Sequence, residues 1–352
     1  MRFEFYHEAL ANVPKLSVDG TVDNAVHLSH WEGNTTPAEL RADTSTEIAL
    51  NFVASPRREE IARGIEIVTN NHFDTDGLLS VWTTLAGARA LELRDKLVAA
   101  AEAGDFSEFP NAQAVRASLT VQGGDNPFVE GVASPLAREL AGGASVDERR
   151  AYKLLLPEVE RVLTRTDEYE PLWRESWSQI ESALESFASG RSRVEEDAES
   201  RMSVVMLAPD LYGASGFKPT RHAAPYTAIA HNARGEIFLI ATPAVGGWSY
   251  RIDYPYYSWA MTFVRPRVAR RDLSRLVLRL NEMEGDGGGS WKADRSELTS
   301  AVKFTDAGGV QTLSRLEPDA VAAELRAVLI QHSAPAAKGK INRDGQDIEV
   351  QI

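Results

Sequence analysis

The sequence predicts an α/β protein, with a mainly parallel sheet in an N-terminal domain, a helical connector and a smaller α+β C-terminal domain. Three observations carry this expectation. The first hundred residues alternate between short apolar runs and Leu/Ala-rich helical periodicities, which is the pattern of α/β crossover units. Residues 147–200 are charged, contain Trp and keep a helical period. From "MSVVMLAPDLYG" onward strand candidates dominate. The corresponding divisions are 1–145, 146–200 and 201–352, reasonable for 352 residues at about 100–200 residues per domain.

In chain order, "PKLSVDG" and "NAVHLSHW" are short strands, each closed by Gly or a polar cluster. "PAELRADTSTEIALNFV" spaces Leu40, Ile48, Ala49 and Phe52 as a helix does, with Pro37 near its start; Thr44 and Glu47 have capping-box spacing, which makes Asp43 a capping or helix-surface group. "EEIARGIEIVTNN" is a helix end passing through Gly64 into the strand "IEIVT". "LLSVWTTLAGARALELRDKLVAAAEAG" is helical, broken near Gly87 and at Gly104. "VQGGDNPFVEG" reads as a loop, and "SGRSRVEEDAESR" as a linker or last helical turn. In the second half "YTAIAH", "EIFLIAT" and "WSYRIDY" are strands, "RRDLSRLVLRLNEMEG" a helix and "GDGGGSW" a Gly-rich turn, followed by a polar tail.

The composition, 43% hydrophobic and 25% charged, is that of a globular protein. Lys+Arg 38 against Asp+Glu 51 gives a net charge of -13, which discourages generic binding to duplex nucleic acid or an anionic membrane. Zero Cys removes thiolate chemistry, so a metal must be held by oxygen and imidazole. "MRFEFYHEAL" lacks the apolar core of a signal peptide, and no run approaches the ~18–20 apolar residues of a membrane span; a cytoplasmic location is expected.

The most informative stretch is "NNHFDTDGLLSVW". His72, Asp74 and Asp76 alternate just where an apolar strand ends and an apolar helix begins. In extended chain, alternate side chains share a face, and adjacent carboxylates repel unless a cation or proton lies between them. The stretch is either a solvated turn or half of a metal site. Asp19 ends the strand "LSV", and His30 follows "AVHLS", so three strands deliver Asp or His at their carboxyl ends. Asp105 stands in "AGDFSEF", either as a further donor or as a loop residue after Gly104.

These residues carry a resemblance. "IEIVTNNHFDTDGLLSVWTTL" resembles the first motif of the DHH phosphoesterase superfamily, a buried strand ending in His-x-Asp-x-Asp-Gly with a small or polar residue following on a helix, here Ser80. Asp19 is similar to that family's second motif. Ser29-His30-Trp31 stands where the third has Asp-His-His, "ADTSTEIA" resembles the Ser/Thr-rich helix start after it, and Asp105 matches the fourth. The departures are specific: the first motif follows the second and third in the chain, Ser29 replaces an Asp, and Trp31 replaces the His that faces the substrate phosphate.

The resemblance implies a phosphohydrolase or phosphodiesterase acting on a small organic phosphate ester, with two Mn²⁺ or Mg²⁺ ions about 3.5–4 Å apart activating a hydroxide. His72 and Asp74 would hold one ion, Asp76 and His30 the other, with Asp19 or Asp105 bridging or completing the shells; Asp76 and His30 are the residues closest to catalysis. Trp31 would shape the substrate pocket, and Gly288 and Lys292 of "GDGGGSWKADR", with Arg221 and His222 of "KPTRHAAPY", would bind substrate. The alternatives are a non-catalytic relative that binds a ligand or partner, and a metal enzyme with a non-phosphate substrate. No Gly-x-Ser-x-Gly elbow, Walker-type loop or dinucleotide fingerprint competes.

Overall fold

The computed structural model describes residues 1–125, 148–213, 216–218, 222, 224–286, 288–293 and 300–333. Two sheets organise them. The first joins β1 (Arg2–Phe3), β2 (Lys15–Val18), β3 (Val26–Leu28) and β4 (Ile67–Thr69) in the spatial order β1-β4-β2-β3. All three pairings are parallel, with Leu16 opposite both Val68 and Val26. The central strands β2 and β4 are buried along their whole length, as expected of a parallel sheet covered on its faces.

Helices pack around this sheet. They are α1 (Ser45–Ala54), α2 (Arg58–Ile61), α3 (Thr75–Ala86), α4 (Ala88–Leu91), α5 (Arg94–Asp105), α6 (Ala112–Asp125), α7 (Glu148–Leu155), α8 (Val159–Thr164) and α9 (Glu170–Ala188). Leu16, Val18, Leu28 and Val68 of the sheet share one core with Ile48, Phe52, Leu78, Val81, Leu97, Tyr152 and Val162. Thr44 caps α1 by accepting the Glu47 amide, as its spacing predicts. That cap also corrects the long helix expected from Pro37. A 3-10 turn at Ala38–Leu40 is followed by extended chain at Arg41, and the helix starts only at Ser45.

The second sheet has the order β5-β6-β7-β8-β10-β9, from β5 (Arg193–Asp197), β6 (Met202–Met206), β7 (Ile237–Ala244), β8 (Gly247–Asp253), β9 (Ser290–Ala293) and β10 (Ser300–Thr305). Only β6 and β7 run parallel. The period of two is explicit: Val204 and Leu239 face a core with α11 (Ser274–Glu284) and α12 (Pro318–Ser333), while Val205, Phe238 and Ile240 face α10 (Tyr226–Asn232). The fold is therefore mixed α/β, with a parallel sheet first and a mixed sheet second.

Three expectations fail locally. "SRVEED" is not a linker but the edge strand β5, whose charged side chains suit a row with one open side. "YTAIAH" is helix α10, entered from Pro225, with Tyr226, Ala228 and Ile229 buried. "VQGGD" is not loop but the last turn of α6; a Cβ on Gly123 would stand 2.5 Å from the Leu172 carbonyl, so the glycine lets α6 and α9 approach. The remainder of "VQGGDNPFVEG" and the polar tail lie outside the described residues. No helix among the described residues is long and apolar enough to cross a membrane.

The two sheets' units meet through the chain after β8. Tyr256–Trp259 forms a 3-10 turn, and the extended segment behind it lies on the first unit. Asp43, 2% exposed, accepts amide N–H bonds from Phe263, Val264 (2.9 Å) and Arg265 (3.0 Å), and a guanidinium N–H from Arg265 at 2.7 Å. The same guanidinium donates to Glu102 and Glu108 at 2.6–2.8 Å and lies over the Phe106 ring. Hydrogen bonds from four donors hold the Asp43 carboxyl below the usual carboxylate range, against the upward push of burial.

Gly123→Ala should lower stability by about 1–3 kcal/mol, because an added methyl forces α6 off the α9 backbone. Chemical denaturation read by circular dichroism measures it; an unchanged midpoint would mean that the helix contact is looser than 2.5 Å implies.

Candidate metal centre

The site lies at the carboxyl ends of three neighbouring parallel strands, where ligands gather in sheets of this kind. Asp19 follows β2, His30 follows β3, and His72 follows β4. Asp74 and Asp76 come from the start of α3, and Asp105 is the last residue of α5 rather than part of a loop. Asp19 sits at φ 63, a left-handed conformation that Asp tolerates better than most residues. Its carbonyl accepts the Ser29 hydroxyl.

The structure brings together all six of the expected ligand residues. His30 Nε2 lies 3.1 Å from Asp105 Oδ2, 3.5 Å from Asp19 Oδ1 and 3.7 Å from Asp76 Oδ2. His72 Nε2 lies 2.8 Å from Asp19 Oδ2 and 3.2 Å from Asp74 Oδ2. Two donor sets result, Asp19/His30/Asp76/Asp105 and Asp19/His72/Asp74, each with its donor atoms within 4.8 Å of one another and both containing Asp19. The first is buried. The second is partly open, the His72 and Asp74 side chains being 26% and 40% exposed.

Neighbouring groups fix the donors. His30 Nδ1 donates to the Asp43 carbonyl at 2.6 Å, which leaves the Nε2 lone pair facing the carboxylates. His72 Nδ1 is 2.9 Å from Asn71 Oδ1, so its Nε2 also faces inward. The N-terminus of α1 donates the Ser45 and Thr46 amides to the two oxygens of Asp76 at 2.6 and 2.7 Å, and the Ser45 hydroxyl donates to Asp19 Oδ1 at 2.9 Å. Asp74 caps α3 by accepting the Gly77 amide. Ser80 spends its hydroxyl on the Gly77 carbonyl. Gly104 has Thr75 against it, where a Cβ would stand 2.5 Å away, and that approach keeps Asp105 close to the start of α3.

Asp19 Oδ2, His30 Nε2 and His72 Nε2 are buried and make no aligned hydrogen bond, although charged neighbours stand within 2.8–3.5 Å. Their lone pairs point to shared space instead of to each other. Without a cation, protons must fill that role. Burial pushes Asp76 up to about 7, with the Asp19 charge adding to it, and burial with Asp76 pushes Asp105 well above the usual range. Burial opposes protonation of His72, but Asp19 and Asp74 raise it to about 11; His30 is raised likewise by Asp105 and Asp19. Asp19 alone is held far below the usual range, because its two imidazole neighbours outweigh burial.

Two Trp rings wall the site. Trp31 packs edgewise on His72 with ring centres 5.5 Å apart and leans on Trp259, itself edgewise against His30 at 5.0 Å. Trp31 Nε1 is buried with no hydrogen-bond partner. His222, Gly288 and Lys292, expected to bind substrate from the second half, have other surroundings. His222 stacks on Tyr212 and accepts the Lys218 amide, both within its own loop. Gly288 makes the turn into β9, where Lys292 is exposed on the outermost strand and donates to the Asp306 carbonyl. Arg221 lies outside the described residues. Sequence reasoning missed Asp43, Ser45, Thr46 and Trp259. The Ser/Thr-rich helix start was a signal for Ser45 and Thr46; nothing local points to the other two.

Fold and site together define an α/β protein with a carboxylate–imidazole cluster at the carboxyl edge of a parallel sheet. The chain belongs to a family of unknown function, DUF6687, whose match covers residues 1–335 and therefore both sheets. No curated protein matches it in sequence.

Adding Mn²⁺ to chelator-treated protein should raise its melting temperature. Each ion contributes about 2.7 kcal/mol when free metal is a hundred times Kd. The Asp74→Asn and Asp76→Asn variants should respond less. A melting temperature that is flat across Mn²⁺, Mg²⁺ and Zn²⁺ would return His72, Asp74 and Asp76 to the solvated-turn reading.

Proposed function

We propose that the chain is a divalent-cation-dependent phosphoester hydrolase related to the DHH phosphoesterases, acting on a small organic ester. The observation that carries this reading is the pair of donor sets sharing Asp19. Four carboxylates, those of Asp19, Asp74, Asp76 and Asp105, match in charge two divalent cations held with neutral imidazoles. An all-oxygen-and-nitrogen donor set suits Mn²⁺ or Mg²⁺ better than metals that prefer sulfur. The three buried atoms lacking hydrogen bonds are the ones such ions would satisfy.

His30, Asp76 and Asp105 would hold the buried ion, His72 and Asp74 the exposed one, and Asp19 both. When bound, such ions polarise a phosphoryl oxygen and lower the pKa of water. The residues do the rest. The Asp43 carbonyl keeps His30 in its Nδ1–H tautomer, and the α1 amides hold Asp76 in place. Trp31 and Trp259 keep bulk water off the buried side. The rearranged motif order is no obstacle to the relationship, since β4 lies beside β2 and sets His72 next to Asp19.

The test is metal stoichiometry together with turnover of bis(p-nitrophenyl) phosphate. Two Mn²⁺ per chain are expected; Asp74→Asn should keep one, Asp19→Asn should bind neither firmly, and turnover should fall about 100-fold or more in both. A second reading, a metal-binding protein without catalysis, is favoured by Ser29, whose hydroxyl is committed to the Asp19 carbonyl where the family has a carboxylate. Two bound Mn²⁺ with no turnover of any phosphoester would select it.

Trp31 sets the substrate class. A large apolar face suits an ester with an apolar or aromatic part and suits pyrophosphate or a polyanion poorly, as does the net charge of -13. Trp31→His should shift selectivity toward simple phosphates, and the unmodified protein should barely hydrolyse pyrophosphate or single-stranded DNA. Brisk hydrolysis of either polyanion would remove the wall from the explanation. A loss of stability with unchanged selectivity would make Trp31 a packing residue only.

A further inference from the structure

Asp43 faces two ways. Its backbone carbonyl accepts His30 Nδ1–H at 2.6 Å, the contact that aims Nε2 at Asp19, Asp76 and Asp105. Its carboxylate accepts three successive amides, those of Phe263, Val264 and Arg265, and the Arg265 guanidinium. The His30 carbonyl, meanwhile, accepts the Met261 amide at 2.8 Å, and the Trp259 ring packs on the imidazole. Both polar ends of the His30 residue are thus held, directly or through Asp43, by the segment 259–265 of the second unit.

We propose that Asp43 is a positioning residue that couples cation binding at His30 to the seating of the 259–265 segment on the first unit. The inference rests on the metal reading above and adds its regulation. Lifting the segment would strip a buried carboxylate of four donors at once, and the Arg41–Thr44 chain would have to move to rehydrate it. Its carbonyl would move with it, and His30 would lose the bond that orients its ring. Coupling is reciprocal, so a cation that needs His30 in place must in turn hold the segment down. His72 reaches the segment through Trp31, whose ring is tilted against Trp259, whereas His30 is held by the segment directly and through Asp43, so the effect falls on the buried ion.

The full chain, in chelator and then in Mn²⁺, tests this by amide hydrogen exchange at Phe263, Val264 and Arg265 and by calorimetric Mn²⁺ titration. Mn²⁺ should slow exchange at these amides several-fold. Asp43→Asn should weaken binding of one of the two ions about 10–100-fold, leave the other unchanged and speed exchange of the segment. Arg265→Lys, which keeps the charge but not the forked geometry, is the milder second variant and should fall between. Gly123→Ala, destabilised far from the segment, should bind both ions as the parent does; an equal loss there would make the Asp43 effect one of general stability and overturn the coupling. Two ions bound with segment exchange indifferent to Mn²⁺, and unchanged affinity in Asp43→Asn and Arg265→Lys, would also overturn it. If the unmodified chain binds no Mn²⁺, the metal reading itself fails.

Discussion

Everything near the first sheet answers to one electrostatic constraint: four carboxylates and two imidazoles form two donor sets joined at Asp19, one of them out of water. Like charges within one set cannot all persist unaided. The fold meets the problem from three sides. The α1 N-terminus turns two amides onto Asp76, Ser45 gives its hydroxyl to Asp19, and the imidazoles present Nε2 toward the carboxylates. These contacts lower the cost without removing it, which is why Asp76 and Asp105 are pushed toward holding protons. A cluster satisfied by its own hydrogen bonds would not leave Asp19 Oδ2 and both Nε2 atoms without aligned partners.

The constraint explains what the sequence made legible. Asp19, His30 and His72 were visible because each follows a short strand-like run, and ligands of a parallel sheet gather at the carboxyl ends of its strands. Asp74 and Asp76 were visible through spacing alone. Asp105 was a weaker signal, because a helix C-terminus and a loop look alike after a Gly. The Asp43–Arg265 clamp left no trace: its partners are 222 residues apart, and a capping-box pattern at Thr44 gave Asp43 an ordinary local explanation. The same limit produced the errors in elements. The composition of "YTAIAH" suits a strand, and only packing on Phe238 and Ile240 makes it helix; "SRVEED" is too polar for a strand until its place at a sheet edge is known.

Spatial order also brings together strand ends that are distant in the chain. Parallel strands need not sit beside their sequence neighbours. Here β4 enters between β1 and β2, so the fourth strand of the sheet delivers its His beside the Asp of the second. What a ligand cluster requires is adjacency of strand ends, and several connections satisfy it. Chain order therefore says little about whether the cluster forms.

The two donor sets are not equivalent, and the inequality gives the site a direction. The His30 set is closed on one side by the core and on the other by Trp259 and the segment beyond it, whereas His72 and Asp74 stand partly in solvent. Under the metal reading, a cation in the inner set exchanges only when the second unit loosens, and the outer position is where substrate meets the site. The two Trp rings then separate the faces: Trp259 packs on the inner imidazole, and Trp31 packs on the outer one. The first unit supplies every proposed ligand, yet the second decides how rigidly the inner imidazole is held.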